Sequence, residues 1–119
     1  MIPFEAFKSK EKFNEDLKSY YPGAASRKVK KQLTERINLA ADDFAAVASG
    51  EAPTQEEYLD AIDKALERFT DIYIDTEDRE QVGFYFEELM DIVDLESSEG
   101  KLNNFLYGFD IDSVLRPKP

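Results

Sequence analysis

The side chains available for chemistry in this sequence are carboxylates, lysines and tyrosines. There are 26 Asp and Glu, 15 Lys and Arg and 6 Tyr, with neither His nor Cys. The lack of histidine removes the commonest general base, the commonest zinc ligand and the usual pH switch. The lack of cysteine removes the thiol nucleophile, the disulfide framework and thiolate-held zinc or iron–sulfur centres. Histidine-based triads and the Glu-x-x-His pairs of di-iron bundles are excluded with them. Any catalysis is left to carboxylates, Lys, Tyr or a magnesium-like ion.

Carboxylates three, four and seven residues apart share one face of a helix. Glu56, Asp60, Asp63 and Glu67 are spaced this way, and so are Glu80, Glu87, Asp91 and Asp94. Side by side, the two stripes would steer a basic protein onto the surface. Pointing apart, they would be two ordinary solvated faces. Phe84 is the sharpest anomaly. On a helical wheel it falls among Glu80, Glu87, Glu88 and Asp91, away from the apolar stripe of Val82, Phe86, Leu89 and Val93. An aromatic ringed by charge has the character of an interface anchor; the alternative is that the first or fifth helix covers it.

Other motifs are weaker. Arg27-Lys28-Val29-Lys30-Lys31 places cations at a helix start, where the dipole disfavours them. Free first-turn amides could bind phosphate there, but pairing with acidic helices of the same chain is the simpler expectation. As a nucleic-acid motif the cluster is short and lacks interleaved aromatics. Asp71-x-x-x-Asp75, Asp91-x-x-Asp94 and Asp110-x-Asp112 approach a calcium loop without its frame or closing Glu. Phosphate-loop and dinucleotide patterns are missing, and no cofactor is implied. Nothing singles out two carboxylates for glycoside-type acid/base work.

These residues need helices to position them, and the apolar spacing supplies helices. A first segment runs from about Pro3 to Tyr20 with Phe4, Phe7, Phe13, Leu17 and Tyr20, with Ser9 a possible break and Pro22 the stop. A second begins after Ser26 as N-cap and carries Val29, Leu33, Ile37, Ala40, Phe44 and Val47 up to a cap at Gly50. A third opens with Thr54 and Glu57 at capping-box spacing and buries Tyr58, Leu59, Ile62, Leu66, Phe69 and Tyr73. A fourth starts near Asp75 or Thr76, with Glu77 and Asp78 favoured by the dipole, and buries Val82, Phe86, Leu89, Met90 and Val93, with Tyr85 at the boundary. A short fifth, about Ser98 to Tyr107, ends at Gly108, and an extended tail carries Phe109, Ile111, Val114 and Leu115. Residues 71–75 have strand character but no partner strand. The expected fold is all-α: one domain, a compact bundle of four to five helices with short connections and an extended C-terminal tail.

Composition agrees. The 119 residues are 42% hydrophobic and include fifteen aromatics, enough for one core without metal or disulfide. The net charge is −11 and uneven: residues 1–36 carry about +4, the remainder about −15. That field opposes nucleic acid and favours a basic protein partner, besides giving solubility. No apolar run is long enough to span a membrane and the first residues do not read as a signal peptide, so a cytoplasmic location is the default expectation.

The run Phe86-Glu87-Glu88-Leu89-Met90-Asp91-Ile92-Val93-Asp94, followed by Leu102-Asn103-Asn104-Phe105-Leu106-Tyr107-Gly108-Phe109-Asp110, resembles a small bacterial domain family of unknown function. The resemblance covers about the carboxy-terminal third and implies a compact helical fold and bacterial origin, with no activity attached. In size and acidity the chain is also similar to bacterial immunity proteins, which neutralise toxins by covering them. The leading expectation is a protein–protein interaction module, inhibitor-like or immunity-like, for a basic partner, more a binder than an enzyme. The alternatives are a magnesium- or calcium-assisted hydrolase or ion binder using clustered carboxylates, and a small-ligand binder in an aromatic core.

Overall fold

The computed structural model describes residues 2–18, 21–72 and 74–107. It is all-α: among the described residues there are five helices, α1 (Ile2–Ser9), α2 (Arg27–Ala48), α3 (Gln55–Glu67), α4 (Thr76–Ile92) and α5 (Lys101–Tyr107). The extended structure in this part is an isolated antiparallel bridge between Asp16 and Tyr21.

α2 is the spine. Its three-and-four spacing aligns Leu33, Ile37, Ala40 and Phe44, and all four are buried, together with Ala41. α1, α3 and α4 each pack on α2, and α5 packs on α4 and α3. α3 turns Tyr58, Leu59, Ala61, Ile62 and Ala65 inward. α4 contributes Val82, Gly83, Phe86, Leu89 and Met90.

Short polar side chains fix where the helices begin. Ser26 Oγ accepts the Val29 N–H at 3.1 Å. Thr54 Oγ1 accepts the Glu57 N–H at 3.2 Å, and Glu57 Oε1 accepts the Thr54 N–H at 3.0 Å, which completes the capping box. Asp75 Oδ1 accepts the Asp78 N–H at 2.8 Å. Gly50 is not the left-handed stop expected of it. Ser49 caps α2 in a right-handed conformation, and the Gly50 N–H closes a further turn onto Val47 O at 3.0 Å.

The first segment departs most from expectation, because α1 stops at Ser9. The apolar pattern explains the stop. At 3.6 residues per turn, Phe13 falls on the far side of the helix from Phe4 and well away from Phe7, so one continuous helix could not bury all three rings on one face. Lys12 folds back instead and donates its ammonium to Phe7 O at 2.5 Å, Lys10 O at 3.2 Å and Lys8 O at 3.3 Å. It thereby caps the free carbonyls at the end of α1. Phe13 then takes a left-handed conformation (φ 62) and enters the core, 1% exposed. Leu17, expected inside, is 79% exposed. Gly23 (φ 89) turns the chain toward α2 where a Cβ would lie 3.1 Å from Glu15 N.

α4 also ends earlier than its acidic spacing implies. The Leu95 N–H reaches Met90 O at 2.9 Å and the Asp94 N–H reaches Asp91 O at 3.3 Å, with Asp94 left-handed at φ 58. This is a Schellman stop with Asp in the place glycine usually fills and Leu95 buried behind it. α3 closes in turns across residues 68–72, without a strand. Tyr20, Tyr73, Gly108 and the tail with Phe109, Ile111, Val114 and Leu115 lie outside the described residues.

The Thr54→Ala substitution removes the capping-box acceptor from an exposed helix start without touching the core. It should cost about 1 kcal/mol of stability, read as a lower urea midpoint at unchanged slope.

Candidate functional site

The outer surface of α4 holds most of the residues singled out by sequence. Glu80, Phe84, Glu87, Glu88 and Asp91 are all exposed, and the Phe84 ring is 50% exposed. Neither α1 nor α5 covers it. Glu80 and Glu87 stand one helical turn before and after it, so the ring lies inside an acidic ridge. Beside this ridge α5 leaves a groove of about 220 Å³. It is lined by the buried Gly83 and Leu102, by Leu106 and Phe84, and by the exposed Glu80, Glu87 and Asn103.

The two acidic stripes are not one patch, since α5 divides them. Asp63 and Glu67 of α3 line one flank of α5 with Lys101 and Phe105. Glu80 and Glu87 line the other. Asp63 is already engaged, 2.7 Å from the Lys101 ammonium. Glu56 and Asp60 are exposed further toward the start of α3. Asp94 has left the α4 stripe because of the Schellman turn. Glu88 leans the other way and pairs with Lys10 beside α1, where Pro3, Phe7 and Ile92 shape a shallow, mostly apolar groove. Asp91 borders that groove and a second one near Met90 and Leu95.

Among the described residues, the basic cluster forms no ion pair with α3 or α4. Lys30 approaches Glu11 at 4.0 Å and Lys31 approaches Glu35 at 3.9 Å, both within the amino-terminal part of the chain. Arg27 and Lys28 are exposed. The other two acids of α2 take their cations from elsewhere: Asp43 from Arg68 at 2.7 Å and Asp42 from Lys8 at 2.7 Å.

Two polar residues escaped sequence reasoning because both occupy positions that normally face water. Lys12 is 1% exposed, with its ammonium 4.6 Å from the centre of the Phe7 ring. Burial, with the neighbouring Lys10 charge, pushes its ammonium down to about 8, against the opposing pull of Glu88. Asp78 is 3% exposed and accepts the Tyr21 O–H at 2.6 Å. Its first-turn position reads as dipole stabilisation, yet its oxygen points inward to a tyrosine 57 residues away. Tyr85 sits at the boundary as expected. Its hydroxyl accepts the Phe13 N–H at 3.0 Å, and its ring meets Phe7 and Phe13 edge-on.

Among the described residues no group of three or more carboxylates is placed to hold a metal ion. No helix there is long and apolar enough to cross a membrane. The aromatics that might have lined an interior ligand site pack on one another instead: Phe44 on Tyr58 at 5.6 Å and Phe69 on Phe105 at 5.8 Å between ring centres.

Comparison with known proteins places this architecture. A domain family of unknown function, DUF4844, matches residues 2–110, well beyond the carboxy-terminal third that carries the resemblance in sequence. A solved structure of a DUF3571 family protein from Acinetobacter baumannii AYE is similar at 35% identity, with a TM-score of 0.81 over 95% of this chain and 92% of that chain. No curated protein matches. Neither family description names an activity.

The Tyr21–Asp78 pair makes stability depend on pH. Burial raises the Asp78 carboxyl above its ordinary value; the Tyr21 hydrogen bond opposes this, and Asp75 and Glu77 add to it. The folded state therefore holds the Asp78 proton more tightly than the unfolded chain does. The resulting stabilisation is complete below the unfolded value of about 3.9 and is lost as pH rises through the raised folded value. Asp78→Asn keeps an oxygen for Tyr21 and has no charge to bury. Its stability relative to the parent should climb as pH rises above about 4, the unfolded carboxyl value, measured by urea denaturation at each pH. A flat difference across that range would show that Asp78 ionises as freely in the fold as outside it.

Proposed function

The chain belongs to the DUF4844 family of domains of unknown function, and on that premise we propose that it is a protein–protein interaction module that binds a basic partner through the α4–α5 face. One observation carries the reading: a half-exposed Phe84 at the centre of an acidic ridge. A single exposed apolar side chain is ordinary on a protein surface. A phenyl ring held on a rigid helix, flanked by carboxylates and opening onto a groove lined by leucines, is arranged as a hot spot with a charged rim.

Charge supports the same reading at longer range. The net −11, concentrated after residue 36, would speed encounter with a basic protein and orient it before contact. An inhibitor-like or immunity-like role, in which this face covers a basic partner, suits a small acidic domain. The hydrolase and ion-binding alternative has no convergent carboxylate set among the described residues to support it.

The test is capture from a lysate of the source organism on immobilised protein, parent beside Phe84→Ala, eluted with a salt gradient. A basic protein retained at low salt, released as salt rises and lost with Phe84→Ala is the expected outcome; the purified partner should then rebind the parent. Equal retention by parent and variant would remove the α4–α5 face from the reading.

A further inference from the structure

Resting on that reading, we infer that the groove between α4 and α5 is a socket for a single arginine side chain of the basic partner. Its size comes first. At about 220 Å³ it is below the range of pockets that enclose a whole small-molecule ligand and far too small for a helix. It has room for one long side chain. The apolar lining of Gly83, Leu102 and Leu106 suits an aliphatic stem, and the exposed Glu80 and Glu87, with Asn103, suit a cationic head.

Gly83 keeps the groove open. It lies in the middle of α4, where glycine weakens a helix relative to alanine. Helix packing does not demand it: a Cβ there would meet Leu106 Cδ2 at 3.5 Å, an ordinary van der Waals contact. Alanine would therefore fit the fold, and its methyl would narrow the groove beside the Phe84 ring. The socket explains a glycine that the packing of α5 leaves unexplained.

The charges select the occupant. Glu80 and Glu87 have no ion-pair partner among the described residues, in contrast to Asp63 across α5, which is 2.7 Å from Lys101. A planar guanidinium can lie on the Phe84 face and offer hydrogen bonds in its plane to the flanking carboxylates. A lysine ammonium is more tightly hydrated and has no plane to stack. A cation held between a carboxylate and aromatic rings already occurs on the opposite flank of α4, there supplied by a lysine. There Lys10 pairs with Glu88 while lying 5.3 Å from the Phe7 ring centre and 5.4 Å from that of Tyr85. Arg79 likewise lies over Phe105 at 5.1 Å. At Phe84 the ring and carboxylates are present, and the cation would come from the partner.

The experiment is an NMR titration of the full-length ¹⁵N-labelled protein with hexa-arginine and, separately, hexa-lysine at low salt. It is run on the parent, Gly83→Ala, Phe84→Ala and the control Glu56→Gln/Asp60→Asn. The proposal expects hexa-arginine to shift the amides of Gly83, Phe84, Asn103 and Leu106 and to bind more tightly than hexa-lysine. It expects about fivefold weaker binding in Phe84→Ala, and a similar loss in Gly83→Ala although that variant melts at a higher temperature. The control should bind as the parent does. Shifts centred on Glu56 and Asp60 would overturn the socket and leave the basic-partner reading standing. No binding of either peptide at low salt would overturn both. Equal affinity for the two peptides, or a Gly83→Ala variant that binds normally, would overturn the arginine assignment. Self-association through the same residues without peptide would identify a second copy as the occupant and overturn it too.

Discussion

Leu33, Ile37, Ala40, Ala41 and Phe44 are completely withdrawn from solvent on one side of α2, and α1, α3 and α4 are each placed by packing against that helix. Each large apolar side chain so buried contributes about 1.5–3 kcal/mol, so the stripe sets where the other helices must lie. The alanines at 40 and 41 let neighbours approach closely, and Phe44 reaches across to Tyr58 on α3. α5 does not touch this spine directly in any large measure. It closes the cleft over α3 and α4, and the grooves beside it bring apolar and acidic side chains together.

What was legible in the sequence is what repeats. The spacing of Leu33, Ile37, Ala40 and Phe44 marks a helix face whatever surrounds it. Ser26, Thr54 with Glu57, and Asp75 mark helix starts through local hydrogen bonds that need no tertiary partner. What escaped depends on contacts distant in sequence or on a turn that overrides spacing. Nothing near Asp78 in the chain announces Tyr21 as its partner. Lys12 reads as a solvated cation until α1 ends at Ser9 and leaves carbonyls for it to cap. Asp94 continues the acidic period of α4, yet a left-handed turn takes it off the helix. For the candidate site, the wheel placed Phe84 among carboxylates correctly, but the groove beside it depends on how α5 docks, and sequence periodicity carries no information on that.

The polar interior and the acidic surface answer to different constraints. Lys12, Tyr21 and Asp78 are buried with hydrogen-bond partners, because leaving such groups unpaired would cost more than the local structure could offset. The carboxylates around Phe84 face water, where repulsion between them is screened and a cationic partner can be drawn in. The fold is shared with the DUF3571 family protein from Acinetobacter baumannii AYE. Fold alone does not dictate activity, so the functional reading rests on the α4–α5 face and its chemistry.

On the proposed reading, Phe84 serves recognition and contributes little to folding. Urea denaturation of Phe84→Ser tests this most directly, since it reads stability with no partner present. The expected result is a loss below about 1 kcal/mol, as for a surface position away from core contacts. A loss of about 3 kcal/mol or more, the scale of emptying a buried phenylalanine site, would show that Phe84 belongs to the core and would contradict it.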